Sequence, residues 1–383
     1  MRDYEIVSTD SHLEVPPYMW GPYVDKAFQQ YVPRVVELPT GGEGWLMPGN
    51  DQPVPLGLNF SAGRGFENLK PSGLSYKDGL VGAGDGKQRL GEMDKDGVDA
   101  ELLFPAVSGQ RTLDNGNVPP DGYVALVRGY NDWLSQEYTA HDPDRLLGLA
   151  ILPTTGIQDA MDELRRVSSM PGIRGVCLHS WPNGKGVPED EQDEKFWRLA
   201  VELDVPLAAH MSFGGGRAAY VADLTAQGKM VGGNFAPIVA MLTKGGNGFV
   251  ATQLITSGVF DRIPELQFFF AETQVGWVPY YGEDADENYK RHKYWSGLDM
   301  PHLPSWYLRR HFSWGFQIDH YGVKNRHEIG IDKLQWSTDF PHVQCDWPNS
   351  RQVIEEQFQG VPEDEKRQIV CDNAVRYFHL DRE

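Results

Sequence analysis

A distorted TIM-type (β/α)8 barrel is the fold class this sequence predicts, and three observations predict it. From Gln88 to the C-terminus, strand-like and helix-like segments alternate. The strand-like segments are continuous apolar runs, such as Leu146–Leu152, as expected of parallel strands covered on both faces. Several of them end on His, Asp or Glu, and in a parallel barrel such ends all open on one face. An open, doubly wound sheet is the runner-up, but no G-x-G-x-x-G follows the first strand.

The first apolar run, Tyr4–Val7, reads as a short strand feeding a polar loop, Thr9-Asp-Ser-His-Leu-Glu, before Pro16 and Pro17. From about Leu38 to Lys87, Gly, Pro, Asn and Ser accumulate with little periodicity. This stretch is predicted as an irregular insertion running over the surface, a lid or a subunit contact. Gln88–Asp96 has helical spacing and stops at Gly97, ahead of the strand Ala100–Phe104. Leu126, Tyr130, Trp133 and Leu134 mark a helix over Val124–Ala140, and Pro143 separates it from Leu146–Leu152. Helix Ile157–Val167 is followed by Gly172 and a strand ending at His179; helix Asp193–Leu203 is followed by the strand Val205–His210. Helical pattern over Ala236–Phe260 stops at Pro264, before the strand Leu266–Glu272. The region of His292, His302, His311, His320 and His327 reads as irregular and polar, interrupted by the strand Ser313–Gln317. Leu334–Asp339 is the last strand and Glu363–Phe378 the last helix, so 1–383 is predicted to form one barrel domain with its insertion at about 38–87.

Composition narrows the function. Fifty-four acidic against 35 basic residues give a formal charge of −19, and no Lys/Arg run could track a phosphate backbone, so nucleic acid is excluded as a partner. No basic n-region opens the chain, and no window reaches the roughly 20 apolar residues of a membrane span. A cytoplasmic protein acting on a small molecule is expected. The three cysteines, Cys177, Cys345 and Cys371, lie far apart and suggest neither a disulfide framework nor a thiolate metal site.

The chemistry is expected at the strand ends. Alternate residues of an extended strand share a side, so His12 and Glu14 can both face the barrel mouth, and Asp10 shares their parity. Later strands deliver His210, Glu272 and Asp339. The predicted metal ligands are His12, Glu14, His210 and Asp339, a mixed N/O set suited to one divalent ion: zinc first, or Mn, Fe or Co. Asp339 or Glu272 is the candidate base. His342, three residues after Asp339, is placed to orient that carboxylate or a substrate oxygen. His179 and, after the run Gly214–Gly216, Arg217 are candidate substrate contacts.

Assembled, these residues resemble the amidohydrolase-related family, in the branch of aminocarboxymuconate-semialdehyde decarboxylase, the resorcylate-type decarboxylases and several lactone hydrolases. The resemblance is carried by Thr9-Asp-Ser-His-Leu-Glu-Val-Pro, Leu207-Ala-Ala-His210, Phe270-Ala-Glu-Thr and Trp336-Ser-Thr-Asp339-Phe-Pro-His342. It implies a one-metal barrel, usually of zinc or manganese, often a dimer or larger homo-oligomer, with His12, His210 and Asp339 as ligands. Two positions depart from the pattern. Glu14 stands where the semialdehyde decarboxylase has a second histidine, whereas the resorcylate enzymes place their strand-one carboxylate at the position of Asp10. Glu272 stands where the family's decarboxylases carry a catalytic histidine. That second departure makes hydrolysis of a small, aromatic or cyclic substrate by metal-activated water the leading expectation. Nonoxidative decarboxylation of an aromatic or unsaturated acid is the alternative, and a non-catalytic binding barrel is the reading of another class.

Overall fold

Eight strands hydrogen-bond in parallel and follow one another around one sheet in chain order. The computed structural model describes residues 2–70, 72–106, 118–185, 188, 190–210, 213 and 247–382. Strand β1 is Val7–Leu13, and the insertion after it holds β2 (Arg34–Glu37), β3 (Glu43–Leu46) and β4 (Val54–Pro55), a small antiparallel sheet. The barrel continues with β5 (Ala100–Pro105), β6 (Leu146–Ile151), β7 (Ile173–Leu178) and β8 (Leu207–Ala209). It ends with β9 (Phe268–Phe270), β10 (Phe312–Phe316) and β11 (Leu334–Trp336). Every residue of β1, β5, β6 and β8 to β11 is buried, which explains the apolar runs of the strands other than β1. The predicted barrel is the observed one.

The sheet closes where its first and last strands meet. Ser11 bridges Phe340 in parallel register, His12 N donates to Phe340 O at 2.6 Å, and Asp339 N donates to Asp10 O at 2.9 Å. Three buried hydroxyls line this seam: Ser8 Oγ lies 3.1 Å from Ser11 Oγ and 3.0 Å from Thr338 Oγ1. Because these polar groups satisfy one another, they can occupy a buried strand. The sequence reading assigned Ser11 to a loop and Thr338 to the last strand; β1 starts at Val7, where the predicted strand ends, and bulges between Ser8 and Ser11.

Other differences have similar causes. Helices Val278–Ser296 and Pro304–His311 occupy the stretch expected to be irregular. The first buries just Val278, Gly282 and Tyr289 among its many charges, too sparse a stripe to read as periodicity. Of Ala236–Phe260, residues 236–246 lie outside the described residues; the rest forms Asn247–Thr256 and Val259–Arg262, split at Gly258 with φ 74°. The insertion does more than cover a surface. Trp45, Met47, Leu56 and Phe60 are buried with Leu126, Tyr130 and Trp133 of helix Pro120–Trp133, each large side chain contributing about 1.5–3 kcal/mol. A second aromatic seam, Phe268, Phe270, Phe312 and Trp314, packs against Trp197, Phe260 and Trp277. Among the described residues no helix is long and apolar enough to cross a membrane.

Candidate metal centre

Four strand ends bring donors to one face of the barrel. Asp10 and His12 belong to β1, His210 follows β8, Glu272 comes two residues after β9, and Asp339 three after β11. Glu272 and Asp339 adopt left-handed backbone, φ 54° and 55°, a conformation that costs a residue with a Cβ about 1–2 kcal/mol. Two carboxylates held that way at strand ends point to a site where geometry is kept at the expense of local stability.

The inner atoms converge. His12 Nε2 lies 3.3 Å from Asp10 Oδ1 and 3.4 Å from Asp339 Oδ1, and His210 Nε2 lies 3.7 Å from Asp10 Oδ1. All four of these atoms are buried and have no hydrogen-bond partner. Unpaired buried polar atoms are costly, and two carboxylates with two imidazoles form a donor set that a divalent ion would satisfy. The residues present therefore fit one ion. Electrostatics agree. Burial alone would drive the His12 imidazole down, but Asp10 and Asp339 outweigh it and hold it well above its ordinary range. Against the same burial, His210 and His12 hold Asp10 low, and His342 and His12 hold Asp339 far below the usual carboxylate range. The pocket is short of positive charge.

Outer contacts aim these donors. His12 Nδ1 is 3.3 Å from Pro105 O, which leaves Nε2 facing inward. Gln317 Nε2 donates to Asp10 Oδ2 at 3.4 Å, leaving Oδ1 inward. Phe104 borders the site, its ring centroid 5.9 Å from that of His12 and 5.5 Å from that of His210. Neither Gln317 nor Phe104 was singled out from the sequence, although both stand at or near the end of a predicted strand.

A model of the amidohydrolase family matches residues 10–380. The chain belongs to the amidohydrolase family. Among curated relatives, this amidohydrolase-family chain is 24% identical to the decarboxylase orsB of Emericella nidulans over 73% of its own length and 81% of the relative's. It is 26% identical to a gamma-resorcylate decarboxylase of Rhizobium sp. over 76% of its length and 86% of the relative's. Among solved structures, it resembles the amidohydrolase map2389c of Mycobacterium avium subsp. paratuberculosis, with TM-score 0.74, 17% identity, and 99% and 100% of the two chains covered. It also resembles a dihydroxybenzoic acid decarboxylase of Polaromonas sp. that holds manganese and 2-nitroresorcinol, with TM-score 0.63, 21% identity, and 79% and 88% covered. These likenesses carry the fold.

Within the amidohydrolase barrel the predicted site residues separate. His12 stands between the others, in one group of donors with Asp10 and His210 and in a second with Asp339 and His342. Glu14 was expected as a ligand; it lies one residue beyond the end of β1, and its carboxylate meets His342 and Asn59. Its Oε1 is 3.0 Å from His342 Nε2, and its Oε2 accepts from Asn59 Nδ2 at 3.0 Å. Two triads of metal-capable donors occur among the described residues, Asp10–His12–His210 and His12–Asp339–His342, and neither contains Glu14. Glu272 Oε2 lies 3.6 Å from His210 Nε2, at the rim of the cluster. His179 follows β7 on the same face, and Arg217 lies outside the described residues.

Proposed function

We propose that this amidohydrolase-family member is a metal-dependent nonoxidative decarboxylase of a hydroxylated aromatic carboxylic acid. One observation carries the reading: the inward-facing, unpartnered donor atoms Asp10 Oδ1, His12 Nε2, His210 Nε2 and Asp339 Oδ1, on a barrel whose relatives are named as resorcylate and dihydroxybenzoic acid decarboxylases. Where zinc was the first expectation, the manganese of the Polaromonas neighbour and the two carboxylate donors here favour manganese. When bound, a divalent ion supplies Lewis-acid polarisation of a carboxylate and an adjacent oxygen.

The chain's own residues supply the rest. Phe104 offers an apolar ring edge to an aromatic substrate. Glu272, outside both donor triads but beside His210, is the proton carrier. The bond from ring carbon to carboxylate carbon breaks, its electron pair stays on the ring carbon, the Glu272 carboxyl protonates that carbon, and CO2 leaves. Asp339, held anionic by His12 and His342, fixes the cluster. His179 and Arg217 keep their sequence-based roles as substrate contacts, Arg217 as countercharge to a carboxylate. Glu272 also favours a second reading, hydrolysis, in which it takes a proton from water. Incubation of manganese-loaded protein with a panel of dihydroxybenzoates in D2O separates the two. Decarboxylation releases CO2 and places one deuterium on the vacated ring carbon. No CO2 across the panel, with turnover of an ester and lactone panel instead, overturns it in favour of hydrolysis.

A further inference from the structure

We propose that helix Val278–Ser296 is the face on which a second copy of this chain docks, the two helices lying antiparallel across a two-fold axis at Glu287. The inference goes beyond the reaction proposed above and does not depend on it or on the metal.

The make-up of the face is the first argument. The helix turns Val278, Gly282 and Tyr289 towards the core, so its opposite side looks outward. That side carries Tyr280, 73% exposed, and Tyr294, 85% exposed, with Trp295, 76% exposed, adjoining. Tyr321, 65% exposed, widens the N-terminal end, since it stands so close to Gly276 that a Cβ there would meet its ring at 3.0 Å. One exposed aromatic residue is ordinary; several along a single helix face make a patch of the kind that marks a contact with another protein.

The order of the residues is the second. Counted from Glu287, Tyr280 and Tyr294 stand seven residues to either side, Glu283 and Arg291 four, and Asp284 and Lys290 three. Steps of three, four and seven keep these side chains on or beside one stripe of the helix. A copy turned about an axis through Glu287 therefore sets Tyr280 on the partner's Tyr294, Glu283 on the partner's Arg291 and Asp284 on the partner's Lys290. Each contact then occurs twice, as a self-complementary interface requires.

The sign pattern alone has another source. Acidic residues early and basic residues late suit the helix dipole, and Glu287 draws its own Lys290 to 2.8 Å and Arg291 to 3.7 Å. The dipole does not put tyrosines in water at equal distances from the same residue. Nor does it explain why Glu283 and Asp284, which form no ion pair among the described residues, fall where a two-fold brings cations. Charge also selects the occupant. A chain of formal charge −19 repels its copies over most of its surface, whereas this stripe carries both signs in an order that matches its own reverse. A partner of one sign would leave half of these charges facing their like.

Sedimentation velocity of the full chain between about 1 and 100 µM tests this by measuring the monomer–dimer dissociation constant. Wild type should dimerise in this range. Glu283→Arg and Arg291→Glu should each weaken association about tenfold or more, and the chain carrying both should return to within about threefold of wild type, because the exchange restores every pair. Tyr294→Ser should also weaken it about tenfold. Glu287→Gln, which removes the like-charge contact on the axis, should tighten it. These side chains are exposed, so melting curves should stay near that of wild type; if a charge reversal does not fold, Tyr294→Ser and Glu287→Gln decide. A wild type that remains monomeric throughout, single variants that associate as wild type does, or a double reversal no tighter than the singles overturns the proposal.

Discussion

Replacing Arg89 by methionine should destabilise the protein by about 3–5 kcal/mol, because it strands a buried carboxylate. Arg89 is on helix Gly86–Asp96 and Glu101 on β5; their side chains are 1% and 3% exposed, and Nε stands 2.5 Å from Oε2. At that distance and an effective dielectric of about 20, the attraction is about 7 kcal/mol before desolvation is subtracted. Burial raises the Glu101 carboxyl even with Arg89 beside it. Arg89 is itself raised against burial, by Glu101 first and by Tyr138 and Glu92 as well. Both are raised because burial and the neighbouring Asp96 and Glu92 work against the Glu101 charge, while the acidic groups around Arg89 favour its own. We take the pair as charged, since a guanidinium does not give up its proton in a protein. Arg89 also donates to His12 O at 3.2 Å and lies 4.3 Å from the Phe340 ring centroid, so its loss is felt on both sides of the barrel seam. Urea unfolding of Arg89→Met, Glu101→Leu and the double variant measures this. The double variant should recover at least 2 kcal/mol relative to the sum of the singles. Additivity within about 0.5 kcal/mol would refute the reasoning.

Two other outcomes follow from the same structure. Glu272→Gln should retain the metal while turnover falls about 10²–10⁴-fold, measured by metal content and product formation; loss of the metal would make Glu272 a ligand. His311, buried and stacked on Phe260 at 4.2 Å, is held below its ordinary pKa, chiefly by burial, with the Leu266 carbonyl opposing. The unfolded chain therefore takes up this proton at higher pH than the folded one, so stability falls as pH drops from about 6.5 through the folded value and is unaffected above it. Melting curves between pH 7.5 and 5 should show a steeper loss for wild type than for His311→Gln; equal slopes would exclude this contribution.

Much of the site was legible because barrel topology converts sequence position into spatial position. His210, Glu272 and Asp339 end apolar runs, and parallel strands must place such ends together. What failed was finer. Alternation could not choose between Asp10 and Glu14, because both share the parity of His12; what separates them is the long-range contact of Glu14 with His342 and Asn59. The strand itself was placed too early, since buried Thr9, Asp10 and Ser11 look like a loop to any rule that equates burial with apolar character. The insertion's link to the site was invisible: Asn59 reaches Glu14 by a long-range contact that no local pattern encodes. The change of emphasis from hydrolysis to decarboxylation came from the relatives, not from the donor geometry, which serves either reaction.

The seam between β1 and β11 has a consequence for when the protein becomes competent. Its partners come from opposite ends of the chain, Ser8 and Thr338 being 330 residues apart, and the donors divide the same way, Asp10 and His12 on one side and Asp339 on the other. An ion held by both would act as a clasp on a loop that takes in most of the chain. A chain still lacking its last strand has the first half of the centre and none of the second. The two halves of the centre would therefore meet only once the last strand closes against the first, and an ion held there would report a closed barrel.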